Sequence, residues 1–201
     1  MEDKIIWLRT DERKEALNAL VKLHQFLKEV EEDVYNWKWV IIATHNATQG
    51  FMVLALKGFN SLNVYKNNSA KKCIDAYEKG YTYPSYVELD KFLNLYSKIK
   101  SEHMKQYIHS KIFEGDTDTD EAMKILNDEI RNNFIHFTPK SWSLVVNGLP
   151  TICLKVLNII EFLVKESGNI YSYDEDDEYK VKELVEKIIK QLNDLELKYC
   201  I

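Results

Sequence analysis

Val34-Tyr-Asn-Trp-Lys-Trp-Val-Ile-Ile-Ala-Thr-His-Asn-Ala-Thr-Gln-Gly-Phe-Met-Val-Leu-Ala-Leu-Lys-Gly-Phe59 decides the fold class. Apolar residues lie on most faces of this segment, and a helix of that kind belongs in the middle of a bundle. His45, Asn46, Gln49 and Gly50 interrupt its most apolar part, Trp39 to Leu56. It therefore reads as a buried helix and not as a membrane span. Upstream, Leu17, Leu20, Val21, Leu23, His24 and Leu27 recur at helical spacing. They predict an amphipathic helix over Glu12–Val30, capped by Thr10.

The rest of the chain repeats that signal. Ala70–Lys79 predicts a short helix stopped by Gly80. Ser85 is positioned to cap Tyr86–Lys98, and His103–Phe113 allows another short helix. Thr119 or Asp118 is expected to cap a helix from Asp120 to His136, which Pro139 forces to end. Trp142–Val146 reads as extended or a short strand. Pro150 opens a helix over Thr151–Glu166. Asp174–Glu178 reads as an acidic linker and Val181–Leu197 as a final amphipathic helix. The expectation is one all-α domain over residues 1–201: an up-and-down helical bundle with additional short helices. Residues 174–201 would form the linker and last helix.

Composition excludes several classes. The formal net charge of −5 does not suit a general nucleic-acid binder, so any such contact must be local. Cys73, Cys153 and Cys200 are far apart, with no zinc spacing, and read as reduced thiols of a cytoplasmic protein. The start of the chain lacks the form of a signal peptide. The acidic run Asp116, Asp118, Asp120, Glu121 lacks the Gly and distal Glu of a calcium loop, so capping and solvation account for it. His103 and His109 are poorly spaced for a metal on a helix. There is no phosphate loop, dinucleotide turn or nucleophile elbow. No metal and no cofactor is expected.

The chemistry-bearing stretch is Arg131-Asn132-Asn133-Phe134-Ile135-His136. Only Arg9, Arg13 and Arg131 are arginines among the 27 basic residues. A guanidinium holds phosphate oxygens in a fork, and an imidazole moves protons near neutral pH. On an ideal helix advancing about 100° per residue, Met123, Leu126, Ile130, Phe134 and Phe137 form the core stripe. Asp128, Asn132 and His136 line one ridge away from it, and Arg131 sits at the stripe's edge. The bland alternatives are a surface histidine and an Arg131–Asp128 ion pair. Arg131 and His136 diverge by about 140° on a straight helix. A joint site requires the helix to end or distort, or a two-fold copy to face the first. Ile125 and Ile135, on the flanks, would need such a cover. His45 and Gln49, one turn apart, read as a buried hydrogen-bonded pair. Lys140 is the nearby base. Tyr35, Trp37 and Trp39 read as core and interface rather than as a base-stacking platform.

Arg, a polar residue and then His, late in an all-α chain, resembles the signature of the HEPN (higher eukaryotes and prokaryotes nucleotide-binding) superfamily. Arg131, Asn132 and His136 match it at its shortest spacing. Arg131–Pro139 and Trp37–Gln49 also resemble bacterial HEPN-like proteins. The resemblance implies a helical bundle that dimerises around both motifs and cleaves RNA without metal, leaving a 2′,3′-cyclic end. His136 would be the acid/base, Arg131 would stabilise charge and Asn132 would orient. It implies a toxin or defence effector, with an antitoxin or nucleotidyltransferase as partner. The alternative it leaves open is a catalytically silent dimer that binds a nucleotide or a protein. Asp128, His45, Gln49 and Lys140 would be the supporting residues.

Overall fold

Asp11, not the expected Thr10, starts the first helix. The computed structural model describes residues 5–136, 139–171 and 175–199. In it, α1 (Glu12–Glu29) is capped by the Asp11 carboxylate, which accepts from Lys14 N at 2.8 Å. A carboxylate suits the positive end of a helix better than a hydroxyl does. That bond from Lys14 N holds the Asp11 carboxyl below its ordinary range. Thr10 instead donates to Glu15. The second helix, α2 (Asn36–Leu56), buries Trp37, Val40, Ile41, Phe51 and Met52. It is long and apolar enough to cross a membrane by composition, yet 67% of that window is buried inside the protein. This is the burial expected of a central bundle helix.

Four helices form the core: α1, α2, α7 (Leu149–Lys165) and α8 (Glu175–Tyr199). Side-chain pairs give their directions. Lys57 reaches Glu12, so α2 runs against α1. His24 meets Gln191 and Lys198 meets Glu31, so α8 runs with α1. Thr151 bonds Glu196 and Lys165 pairs with Glu186, so α7 runs against α8 and therefore along α2. The fold is the expected all-α bundle, with no strand among the described residues. A parallel α2 and α7 need a long connection. Residues 57–148 provide it, and they carry the Arg–Asn–His motif.

Close approach of α1 and α2 requires Gly50. A Cβ there would lie 2.7 Å from the Ala16 Cβ and 3.0 Å from its Cα. Gly50→Val should therefore cost about 1–3 kcal/mol through overpacking, read as a lower urea midpoint at unchanged slope. An unaltered midpoint would show that the helices can separate at no cost.

The connection departs from several expectations. α3 covers Asn67–Glu78 and ends at Gly80, whose φ is 65°. Tyr86–Asp90 is not helical, and α4 is only Phe92–Ile99. The missing turns are given up to a bridge between Tyr65 and Leu89, in which Lys66 N donates to Glu88 O and Asp90 N to Val64 O. Asp90 then pairs at 2.7 Å with the nearly buried Lys98, which also donates to Tyr65 O. His103–Phe113 is not a helix beyond a single tight turn at Glu102–Met104. Trp142–Val146 is irregular, and Trp142 packs edge-on to Phe134 at 4.9 Å between ring centroids. The acidic linker is also corrected, since α8 already begins at Glu175; Asp174 lies outside the described residues.

Candidate functional site

The motif helix is not one α-helix. Asp116 caps it, accepting from Thr119 N at 2.7 Å, one turn earlier than expected. α5 (Thr117–Lys124) widens into a π-helical stretch over Ile125–Arg131, then returns to α geometry in α6 (Asn132–Ile135). π turns are rare and concentrate at functional sites. This distortion lies before Arg131; between Arg131 and His136, where a joint site on one chain would need the helix to break, α6 is regular. The core stripe survives it: Met123, Leu126 and Ile130 are buried and Phe134 is half-buried. Phe137 lies outside the described residues.

The wide turn places Asn127 and Arg131 toward α2. There His45 is buried to 2% exposure and stacked on Phe92, with ring centroids 4.0 Å apart and planes 19° from parallel. Its Nε2 lies 3.0 Å from the Asn127 Oδ1. Asn127 in turn donates through Nδ2 to Asp128 Oδ1 at 2.6 Å. Because the amide nitrogen is committed to Asp128, its oxygen faces His45. The imidazole must then donate from Nε2, which leaves Nδ1 as a bare acceptor. Nδ1 has no partner among the described residues. Burial pushes the His45 pKa down to about 4, and the Arg131 charge adds to that, against the opposing bond from Asn127 and the nearby Asn46 side chain, which approaches the ring without meeting hydrogen-bond geometry at Nδ1. The ring is therefore neutral at pH 7.

Arg131 is half-buried and donates from Nη1 to Asn132 Oδ1 at 3.0 Å. Its buried Nε also lacks a partner among the described residues. The unsatisfied groups are complementary, a donor on Arg131 and an acceptor on His45, on facing elements. A buried polar atom left unpaired is costly. The alternative reading of Arg131, an ion pair with Asp128, is not found among the described residues; Asp128 is exposed and holds Asn127 instead.

His136 closes α6. Its backbone N donates to Asn132 O at 3.0 Å, while the residue is exposed. Lys140 is exposed as well. The structure thus gathers Arg131, Asn132, Asp128 and His45 around one turn and leaves the His136 ring at the solvent edge. Gln49 does not join them. It lines the groove between α1 and α2, so the expected His45–Gln49 pair is replaced by His45–Asn127. Asn127 is the residue that spacing alone did not single out. It falls within the apolar stripe, opposite a second polar residue on an apolar helix, and that coincidence was the available signal.

A cavity of ≈ 440 Å³ opens beside the motif, lined among others by Tyr35, Trp37, Lys38, Asn133, Phe134 and Trp142. Trp37 is core, as expected, with its Nε1 donating to the Tyr199 hydroxyl at 3.0 Å. Tyr35 is 77% exposed at the cavity mouth. The flanking Ile125 and Ile135 are half-buried, and Ile125 packs on the chain's own core. Ile125 is thus covered by its own chain, whereas Ile135 is not packed on that core. No His, Cys, Asp and Glu cluster among the described residues could hold a metal. Asp118 pairs with Lys155 and Asp120 with Lys100, which agrees with solvation and capping. Cys73 and Cys153 are buried free thiols; Cys200 lies outside the described residues. No family model, no curated protein and no solved structure matches this chain.

Proposed function

We propose that this chain is a metal-independent endoribonuclease of the HEPN type. Arg131 neutralises the scissile phosphate, Asn132 holds the guanidinium in place, and His136 carries the proton. The observation that supports this most is the Arg131–Asn132 bond on a distorted turn one helical step from an exposed His136. In the reaction the ribose 2′-oxygen loses its proton and bonds to phosphorus. The P–O5′ bond breaks and the leaving oxygen takes up a proton, giving a 2′,3′-cyclic phosphate and a 5′-hydroxyl. The cavity beside Asn133 offers Tyr35 and Trp142 as surfaces for a flanking base. A two-fold dimer facing motif to motif would add a second His136 to each Arg131. The cellular role would be that of a toxin or defence effector restrained by an antitoxin or nucleotidyltransferase.

The test is incubation of the purified protein with total RNA in excess EDTA, followed by end analysis. Cleavage with cyclic phosphate ends supports the reading, and intact RNA removes it.

A second reading has its own support. Arg131 turns partly inward while His136 faces solvent, and the net charge is −5. A catalytically silent HEPN-like dimer that binds a nucleotide or protein would need no closer arrangement. Saturable nucleotide binding without RNA cleavage would favour it.

A further inference from the structure

We propose that the N-terminal arm, Ile5-Ile6-Trp7-Leu8, docks into the α1–α2 groove of a second copy of this chain, with the exchange reciprocated. This docking is independent of RNA cleavage and is a different two-fold contact from a motif-to-motif dimer, which a dimer indifferent to loss of the arm would favour instead. Four consecutive large apolar residues precede α1 and are 71%, 87%, 73% and 93% exposed. Single exposed apolar residues are ordinary, but a contiguous run of this size marks an interaction surface.

The groove that fits the arm is on the same chain. It holds ≈ 480 Å³ between α1 and α2, with Ala19, Phe26, Trp39, Ile42 and Val53 among its apolar lining. Phe26 and Trp39 stack at 6.2 Å and form an aromatic wall, and Trp39 remains 45% exposed. An indole such as Trp7 can pack on such a wall at little cost in side-chain entropy. The lining carries Glu12, Glu15 and Lys22; Glu12 is already paired with Lys57, which leaves Glu15 as the carboxylate that the exposed Arg9 at the arm's end can meet.

The groove's own arm does not fill it. Thr10 is tied to Glu15 and Asp11 to Lys14 N, so the chain is pinned at the groove's rim. From that anchor Ile5–Leu8 lead out into solvent rather than inward. To lie in its own groove, the arm would have to reverse at Arg9–Thr10, against the Thr10–Glu15 bond. A second copy meets the groove without that reversal. Because each chain has one arm and one groove, a two-fold exchange satisfies both at once and closes the assembly.

Light scattering on the full chain at about tens of micromolar tests this. The wild type should be a dimer. Trp7→Ser, on an exposed arm, should be monomeric with an unaltered circular dichroism spectrum, and its melting temperature should match that of the wild type diluted to monomer. Ala19→Arg, which blocks the groove, should also be monomeric, with its fold checked by circular dichroism. Mixing the two variants should restore a weaker dimer, because one intact arm then meets one intact groove. A monomeric wild type overturns the proposal. So does a dimer indifferent to Trp7→Ser, which would place the interface elsewhere. Co-sedimentation of the wild type with phosphatidylcholine vesicles, lost in Trp7→Ser, would make the arm a lipid anchor and equally overturn it.

Discussion

His136→Ala should lower RNA cleavage by at least about 10²-fold, the loss expected of a general acid or base. Its melting temperature should not change, because the residue is exposed and its bond to Asn132 uses the backbone N. Arg131→Lys should lose a similar factor. The Lys ammonium is a point charge that cannot hold Asn132 and a phosphate oxygen in one fork. Asn132→Ala should lose less, since it removes the group that steadies the guanidinium and leaves the charge in place. Rates are to be measured under single-turnover conditions with EDTA present. If His136→Ala cleaves as fast as wild type, the proton carrier is another group and the enzymatic reading fails. If Arg131→Lys alone retains full rate, charge and not the fork is what matters.

The bundle was legible because its signals are local and redundant. Leu20, Leu23 and Leu27 are buried as their spacing required, and α2 is central as its all-round apolar character required. What failed was decided by distant partners. Tyr86–Asp90 has a helical pattern, but Glu88 O and Asp90 N bond Lys66 and Val64 across the chain. A long-range pairing of this kind overrides weak local propensity. The cap of α1 moved by one residue because two competent side chains stand in tandem, which spacing alone cannot decide. The parallel run of α2 and α7 depends on how the 57–148 connection packs, and no periodicity reports that.

The site was legible in part. Residue type and spacing singled out Arg131, Asn132 and His136, and the structure does join the first two directly. The π stretch could not be read, because Met123, Leu126, Ile130 and Phe134 fit the ordinary helical stripe. That stretch is what turns Asn127 to His45, so spacing on α2 pairs His45 with Gln49 while the structure pairs it with Asn127. Sequence contiguity favoured a neighbour one turn away, whereas the actual partner lies on another element. Two polar residues on two apolar faces would have been the better clue, since buried polar groups are rarely left to packing alone.

Acid should destabilise this protein through His45. In the folded chain burial and then Arg131 lower the His45 pKa from 6.5 to about 4. Between those values the unfolded chain binds the proton and the folded chain does not, so stability rises with pH across this window and falls as pH drops through it. Each pH unit of that window is worth about 1.4 kcal/mol, so the loss is on the order of 3 kcal/mol by pH 4. Carboxylates add their own loss over the same range, so the comparison must be with a variant. His45→Gln keeps a donor for Asn127 Oδ1 but cannot titrate. Urea unfolding at pH 7 and pH 4.5 should show wild type losing more stability than His45→Gln, by a substantial part of that loss. At pH 7 the variant should be the less stable of the two, because Gln does not replace the stack on Phe92. The consequence for the site has the same sign. A protonated His45 would put a second cation against Arg131, and the turn that carries the guanidinium would loosen first. Equal pH slopes for the two proteins would mean that His45 titrates near its ordinary value, and the buried His45–Asn127 bond would then not hold in solution.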